Sequence, residues 1–526
     1  MSALQERLTT LAPVLKHLRR GIEKESLRVR PDGMLSAAAH PAALGSALTH
    51  PHITTDFCEA QLELITGVHA EVGACLEELT QIHQVVCRHI DGEMLWCSSM
   101  PCGLPDDDAI PIGHYGSSNI GRAKSVYRTG LSYRYGRRMQ TISGIHYNFS
   151  LPEEAWPLLQ LVEGRQGESR AYQDATYFGL IRNFRRRSWL LLYLFGASPT
   201  VCSTFVEGRT HELQELKPGT LYRPGATSLR MGRLGYQSDA QATLAVSYNS
   251  LQSYARSLYS AMTVPYPPYV KIGIRDGDAY RQLNDTLLQI ENEFYGTIRP
   301  KRPIRPGERP LHALGERGVE YVEVRCMDLD PFCPIGITPQ SIRFLDIFLL
   351  QCLLEDSPLD TPDEIAVLAR NQHRTAARGR EPALRLERGD ADVTLQRWGE
   401  ELVCDAAPIA AALDAAHGGN AYREVLAAAQ AALRDPARTP SARILAELES
   451  HYDGSYVSFA KAHSLRHRET LLEQPLPPAA EKHFATLAAE SLEEQRRIEA
   501  ADAIDFESFR QRYMAQDLPA ELELQP

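Results

Sequence analysis

Ile22-Glu23-Lys24-Glu25-Ser26-Leu27-Arg28-Val29 is the stretch on which the fold turns. Side chains alternate across a strand with a period of two, so Glu23 and Glu25 share one face and Lys24 lies on the other. Pro31-Asp32-Gly33 then reads as a turn. Similar short strands are expected at Ile145-His146-Tyr147-Asn148-Phe149-Ser150 and Tyr321-Val322-Glu323-Val324-Arg325. Others are expected at 227–231, 244–248 and 270–274. Helices are expected over residues 1–20, 71–96 and 174–195. Many of these strands follow one another without an intervening helix. That favours an α+β fold with a largely antiparallel sheet over a doubly wound parallel one. After Pro339 the texture changes to alanine-rich, charged segments at 406–434, 441–449 and 479–501, punctuated by prolines. The expected organisation is an α+β catalytic core over 1–350 and a mainly helical region over 351–526 packed on it.

The chain has 526 residues and a net charge of −11, long enough for a large core without disulfides or structural metals. An acidic chain lacks the basic face a general nucleic-acid binder needs. The first twenty residues carry no long apolar core, so no secretory signal is expected. The longest apolar run, Trp189 to Ala197, is far short of a membrane span. It follows Arg182, Arg185, Arg186 and Arg187, which read as the solvated basic end of a buried helix. The ten cysteines are scattered, without a CxxC pair. They read as reduced thiols of a cytoplasmic protein.

Four segments put ionisable groups where a buried sheet face should be apolar: Glu23 with Glu25, His146 with Asn148, Glu323 with Arg325, and Asp56, Glu59 and Glu63 in residues 53–63. Each acid alone could sit on a solvated strand face. Four such segments point instead to one polar site. Clustered carboxylates repel unless cations lie between them, and carboxylate oxygens suit hard ions such as Mg²⁺. With an arginine to stabilise a transferring phosphoryl group, the set suggests metal-assisted phosphoryl chemistry. Arg230 offers a fork for a substrate carboxylate. Tyr127, Tyr236 and Tyr295 offer hydroxyls and flat apolar faces. Residues 116–123, GSSNIGRA, have P-loop glycine spacing, but Arg122 and Ala123 replace its Lys and hydroxyl residues. They read as a polar surface loop. His463 and His467 read as surface histidines.

Five blocks carry a family resemblance: GIEKESLRV at 21–29, ITTDFCEAQLELIT at 53–66, MQTISGIHYNFSLP at 139–152, LLQIENEFYGTIRPKR at 287–302 and GVEYVEVRCMDLDPFCPIGI at 318–337. In this order they resemble the proteobacterial-type glutamate–cysteine ligases, over roughly residues 20–350. The resemblance implies a fold related to glutamine synthetase. It also implies an ATP-dependent reaction in which the γ-carboxylate of L-glutamate is phosphorylated and then attacked by the α-amine of L-cysteine. The product would be γ-glutamylcysteine, the first intermediate of glutathione synthesis, with feedback inhibition by glutathione expected. Position by position, Glu23, Glu25, Asp56, Glu63, His146 and Glu323 match Mg²⁺ ligands, for two or more ions that Mn²⁺ can replace. Arg325 and Glu323 match catalytic positions. Phe57, Tyr127, Leu131, Gln140, Arg230, Tyr236 and Tyr295 match a cysteine pocket. The partners implied are glutamate, cysteine and ATP, with no nucleic acid, no membrane and a monomeric chain. Open alternatives are a ligase of the same fold using another amine, and a non-catalytic protein that kept the fold.

Overall fold

The computed structural model describes residues 3–235, 239–241, 244–305, 307–515, 519 and 522. A seven-stranded sheet lies at its centre. Its strands are β1 (Arg19–Val29), β2 (Ile53–Thr55), β3 (Gln61–Ile65), β4 (Met94–Leu95), β5 (Ile145–Ser150), β6 (Ile298–Lys301) and β7 (Tyr321–Met327). The order is β6-β7-β5-β1-β3-β2, with β4 added to the end of β1. Every pairing is antiparallel.

The register divides the sheet into two unlike faces. Ile22 lies opposite Tyr147, Lys24 opposite Leu64 and Ile145, and Val324 opposite Tyr147 and Ile298. These residues make the inner face, which is buried. Helices α1 (Val72–His89), α2 (Ser169–Arg187) and α3 (Pro339–Leu354) pack beneath it. Helix α3 is apolar nearly all round, as a helix enclosed on every side must be.

Arg20 and Lys24 lie on this inner face, and each has a partner. Arg20 Nη2 pairs with Asp346 Oδ2 at 3.1 Å, both side chains being fully buried. Asp346 also accepts from Tyr147 at 2.6 Å and from Tyr422 at 3.2 Å. Lys24 Nζ lies 2.7 Å from His83 Nε2. His83 Nδ1 donates to the Leu79 carbonyl at 2.7 Å, which leaves Nε2 to accept from the lysine.

Several expected elements differ. Residues 227–231 form a loop, held by Thr227 and Ser228 amides donating to the Ala376 carbonyl. Residues 244–248 are irregular, and 270–274 end the short helix Pro267–Val270, whose leading prolines suit a first helical turn. The helix expected over 1–20 stops at Leu11, and β1 begins at Arg19. Residues after 354 include a hairpin, Arg385–Arg388 with Ala391–Thr394, that the composition did not reveal. The basic cluster is not a solvated end. Arg182 is buried against the Tyr248 and Pro358 carbonyls, and Arg185, Arg186 and Arg187 pair with Asp360, Glu364 and Glu355. Among the described residues no helix is long and apolar enough to cross a membrane.

His463 and His467 are buried rather than on the surface. They lie on α4 (Tyr456–Glu473), where His463 Nε2 meets Glu447 at 2.8 Å and His467 Nε2 donates to the Pro331 carbonyl at 2.8 Å. Burial pushes His467 down to about 4. Between pH 6.5 and 4 the unfolded chain therefore takes a proton that the folded chain refuses. The stability this residue contributes is present above about pH 6.5 and is lost as pH falls toward 4. His467→Gln keeps a donor for Pro331 and removes the titration. Calorimetric Tm against pH is expected to fall less steeply in that limb for the variant. The flattening is partial, because burial also takes His40 and His50 down to about 4. Parallel curves for the two proteins would contradict it.

Candidate active site

The outer face of the sheet carries the acids. Glu25 lies opposite Glu63, Glu23 opposite His146, and Glu323 opposite Asn148 and Arg299. The strand period thus brings five sequence-predicted residues onto one surface. The sixth, Asp56, stands just after β2. Its carbonyl accepts from Tyr115 at 3.1 Å and from the Arg128 guanidinium, which fixes the turn.

His146 is the hub. Its Nδ1 lies 3.1 Å from Glu23 Oε2 and 3.9 Å from Glu323 Oε1, and its Nε2 lies 3.5 Å from Glu25 Oε1. One ligand atom each from Glu23, His146 and Glu323 fall within 4.8 Å of one another. Asn148 Nδ2 donates to Glu23 Oε1 at 2.8 Å, and the Gly144 amide donates to Glu25 Oε2 at 2.7 Å. Arg325 Nη1 donates to Glu323 Oε2 at 2.9 Å. Lys301 Nζ lies 3.0 Å from Glu323 Oε1.

The charges separate the acids into two pairs. Burial and the charge of Glu323 push Glu23 up, but His146 and Lys301 bring it below its ordinary range. Burial also opposes the charge on Glu323, yet Lys301, Arg325 and His146 hold it well below. Burial and Asp56 raise Glu25. Burial, with Glu23, Asp56 and Glu25, raises Glu63 well above the usual range. The two lowered acids are the ones on which the Lys301 charge acts. Buried acceptors remain without hydrogen bonds at His146 Nε2, Asn148 Oδ1 and Glu323 Oε1. Hard oxygen donors, one imidazole and unmet negative charge fit divalent cations such as Mg²⁺.

The residues matched to an amine pocket border this face. Phe57 and Leu131 share one buried cluster, with Tyr127 packed against it. Tyr127 and Leu131 are four residues apart on α5 (Asn119–Tyr135), so they share a helix face. Gln140 Nε2 donates to the Tyr295 hydroxyl at 2.9 Å. Arg230 is 1 % exposed. It donates to the Arg325 carbonyl at 3.0 Å and lies 3.6 Å from Asp328. A Cβ on Gly144 would come within 2.0 Å of the Arg230 guanidinium, so any larger residue there would push the guanidinium aside. Tyr236 lies outside the described residues.

One irregularity connects the two regions. Between Val324 and Met327, β7 has one residue more than β5 has between Tyr147 and Ile145. This bulge reverses the alternation. Met327, which would otherwise join Glu323 and Arg325, enters the core at 3 % exposure. Asp328 then meets Arg230, the Ser228 hydroxyl at 3.0 Å and the Ala197 amide at 2.8 Å.

The glycine loop at 116–123 is not a phosphate cradle. Its Ser117 amide donates to Glu499 at 2.8 Å and its Asn119 amide to Asp502 at 2.6 Å. Ser118 and Asn119 are buried, so the segment is not a free surface loop either. Sequence reasoning missed Lys301 at the site. It stands in the quoted block at 287–302, but among Arg299, Pro300 and Arg302 no pattern singles it out.

Comparison with known proteins gives the family. The sequence model of the family described as "Glutamate-cysteine ligase" matches residues 3–375. The chain is 51 % identical over 515 residues to the glutamate–cysteine ligase of Pseudomonas entomophila (strain L48), covering 97 % of each. It is 49 % identical over 523 residues to that of Alcanivorax borkumensis, covering 98 % of this chain and 99 % of the relative. A crystal structure of the Francisella tularensis glutamate–cysteine ligase in complex with AMP superposes with a TM-score of 0.89 at 36 % identity, covering 95 % of this chain and 97 % of the other. An antiparallel sheet bearing acids beside cations, with relatives of this kind, defines an ATP-dependent carboxylate–amine ligase. Within that class, the chain belongs to the glutamate–cysteine ligase family.

Proposed function

We propose that the enzyme joins the γ-carboxyl group of L-glutamate to the α-amine of L-cysteine through a γ-glutamyl phosphate, giving γ-glutamylcysteine, ADP and phosphate as the first step of glutathione synthesis. A γ-carboxylate oxygen attacks the terminal phosphorus of ATP, and the bond to the bridging oxygen breaks to release ADP. The amine lone pair then attacks the acyl carbon. The bond to the phosphate oxygen breaks, and the amine proton passes to solvent. Glu23, Glu25, Asp56, Glu63, His146 and Glu323 would hold two or more Mg²⁺ ions. When bound, the ions would supply the charge that lets two anions approach. Arg325, oriented by Glu323, presents a guanidinium to the phosphoryl group. Arg230 presents a planar fork to the cysteine carboxylate beside Phe57, Tyr127, Leu131, Gln140, Tyr236 and Tyr295.

The observation that carries this reading is Glu323, buried between Arg325 and Lys301 at 2.9 and 3.0 Å on the face that holds the other acids. The AMP complex of the Francisella tularensis relative supports the use of ATP. We place the enzyme in the cytoplasm as a monomer. Residues 1–350 would carry the chemistry, braced by 351–526. Glutathione contains the γ-glutamylcysteinyl unit already joined, so it would occupy the glutamate subsite without being phosphorylated and inhibit competitively with glutamate.

ADP release that requires both glutamate and cysteine, with the product mass of γ-glutamylcysteine, tests the reaction. Arg230→Ala is expected to raise KM for cysteine by roughly 10- to 100-fold, the range for a hydrogen bond to a charged group. KM for ATP should change little. A larger defect for ATP would place Arg230 at the phosphates. ADP release without cysteine incorporation would reject the acceptor.

A further inference from the structure

The outer face has a basic side that the acid cluster leaves unexplained. Arg299, Lys301 and Arg325 stand on the edge strand β6 and its neighbour β7, while Glu23, Glu25 and Glu63 stand on β1 and β3. The two cations of β6 differ in freedom. Arg299 is buried, and its guanidinium donates to the carbonyls of Asn292, at 3.0 Å, and Phe294. It is fixed. Lys301 ends the strand, its side chain is 28 % exposed, and Glu323 is its one ion-pair partner among the described residues. Pro300 beside it suits an edge strand, where a missing amide donor is tolerated.

The Lys301–Glu323 contact is unusual in kind. The ammonium stands 3.0 Å from Glu323 Oε1, yet that oxygen is among the buried atoms without a hydrogen bond. The pair is therefore held by charge rather than by donor geometry. The same oxygen lies 3.9 Å from His146 Nδ1, and Glu323 is grouped with Glu23 and His146 as a set that could hold an ion. A lysine ammonium is a point charge on a flexible stem, and it can leave such a partner where a forked guanidinium could not.

We propose that Lys301 is a resident counter-cation that occupies the Glu323 end of the metal cluster in the unloaded enzyme and moves to the polyphosphate of the nucleotide when a divalent cation takes its place. This rests on the function proposed above. A buried carboxylate without a cation is costly. Lys301 supplies that cation until the metal arrives and then neutralises the incoming phosphate. Metal and nucleotide thereby help one another to bind, since the displaced ammonium gains a partner only when the phosphates are present.

The test uses Lys301→Gln and Lys301→Arg in the full chain. The first readout is Mn²⁺ binding without nucleotide, followed by electron paramagnetic resonance. Removing the competitor should tighten Mn²⁺ by roughly tenfold in Lys301→Gln, while KM for ATP rises by roughly tenfold or more and KM for cysteine holds, on the scale of one charged hydrogen bond. Lys301→Arg should recover most of the ATP affinity. A purely structural role would weaken both. Unchanged or weaker Mn²⁺ binding overturns the counter-cation role, and an unchanged KM for ATP overturns the move to phosphate. The Mn²⁺ titration needs no substrate. It therefore stands even if the wild-type enzyme makes no γ-glutamylcysteine, a result that would reject the proposed function alone.

Discussion

Glu323→Gln is expected to lower kcat by about 10²- to 10³-fold, the scale for losing one preorganised charged contact to a transition state. The amide keeps the shape and removes the charge that holds three groups. Arg325 loses the charged partner that orients it at 2.9 Å, Lys301 loses its ion pair, and the grouping with His146 and Glu23 exchanges a carboxylate for a weaker neutral amide oxygen. Glu23→Gln and Glu25→Gln should each cost more than about tenfold by the same logic. Steady-state turnover at saturating substrates, over a range of Mg²⁺ concentrations, checks the effect. Circular dichroism shows whether the variants fold. A folded Glu323→Gln protein with near wild-type kcat at limiting Mg²⁺ would remove Glu323 from the chemistry.

On the opposite face of the same strands, Asp346→Ala is expected to destabilise the protein by about 3–5 kcal/mol, the range for breaking a buried ion pair. Arg20 would keep its charge in a fully buried setting, and the hydroxyls of Tyr147 and Tyr422 would lose an acceptor. The loss spreads because the four residues belong to β1, β5, α3 and the helix Ala421–Arg434. Asp346→Asn keeps an acceptor for the tyrosines and should fall between the two. The urea midpoint measures the order of the three proteins. A midpoint for Asp346→Ala within error of wild type would mean that Arg20 has another partner.

The acid face was legible in the sequence because it obeys a local rule. Alternation in 22–29, 145–150 and 321–325 places Glu23, Glu25, His146 and Glu323 on common faces without knowledge of the partner strands. Asp56, Glu59 and Glu63 stood out as a fourth acidic segment, and the family resemblance was needed only to choose Asp56 and Glu63 among them, since the residues around them mix a turn with a strand. What stayed hidden depends on distant pairing. The alternating stretches at 227–231 and 244–248 looked like strands, but nothing local says whether a neighbour exists to complete them. His463 and His467 stood beside charges in the chain, and their burial comes from Pro331 and Glu447, which no spacing rule connects to them. The arginines at 182–187 looked solvated because their acidic partners lie about 170 residues away. Lys301 became visible only when β6 was placed beside β7.

The bulge in β7 makes chain length, as distinct from residue type, a constraint on this enzyme's geometry. Up to Arg325, odd-numbered positions of β7 look toward the chemistry; from Met327 on, they look into the core. One extra residue inserted between Arg325 and Met327, with the existing bulge kept, would shift the alternation of everything after it. The residues beyond it would then arrive half a period out of phase, with the Asp328 carboxylate directed at the core and the Met327 thioether at Arg230. Every side chain would survive such a change, yet the phosphoryl side and the amine side would no longer be in step. Apart from Glu323 and Arg325, the segment should therefore bear single substitutions better than a change in length.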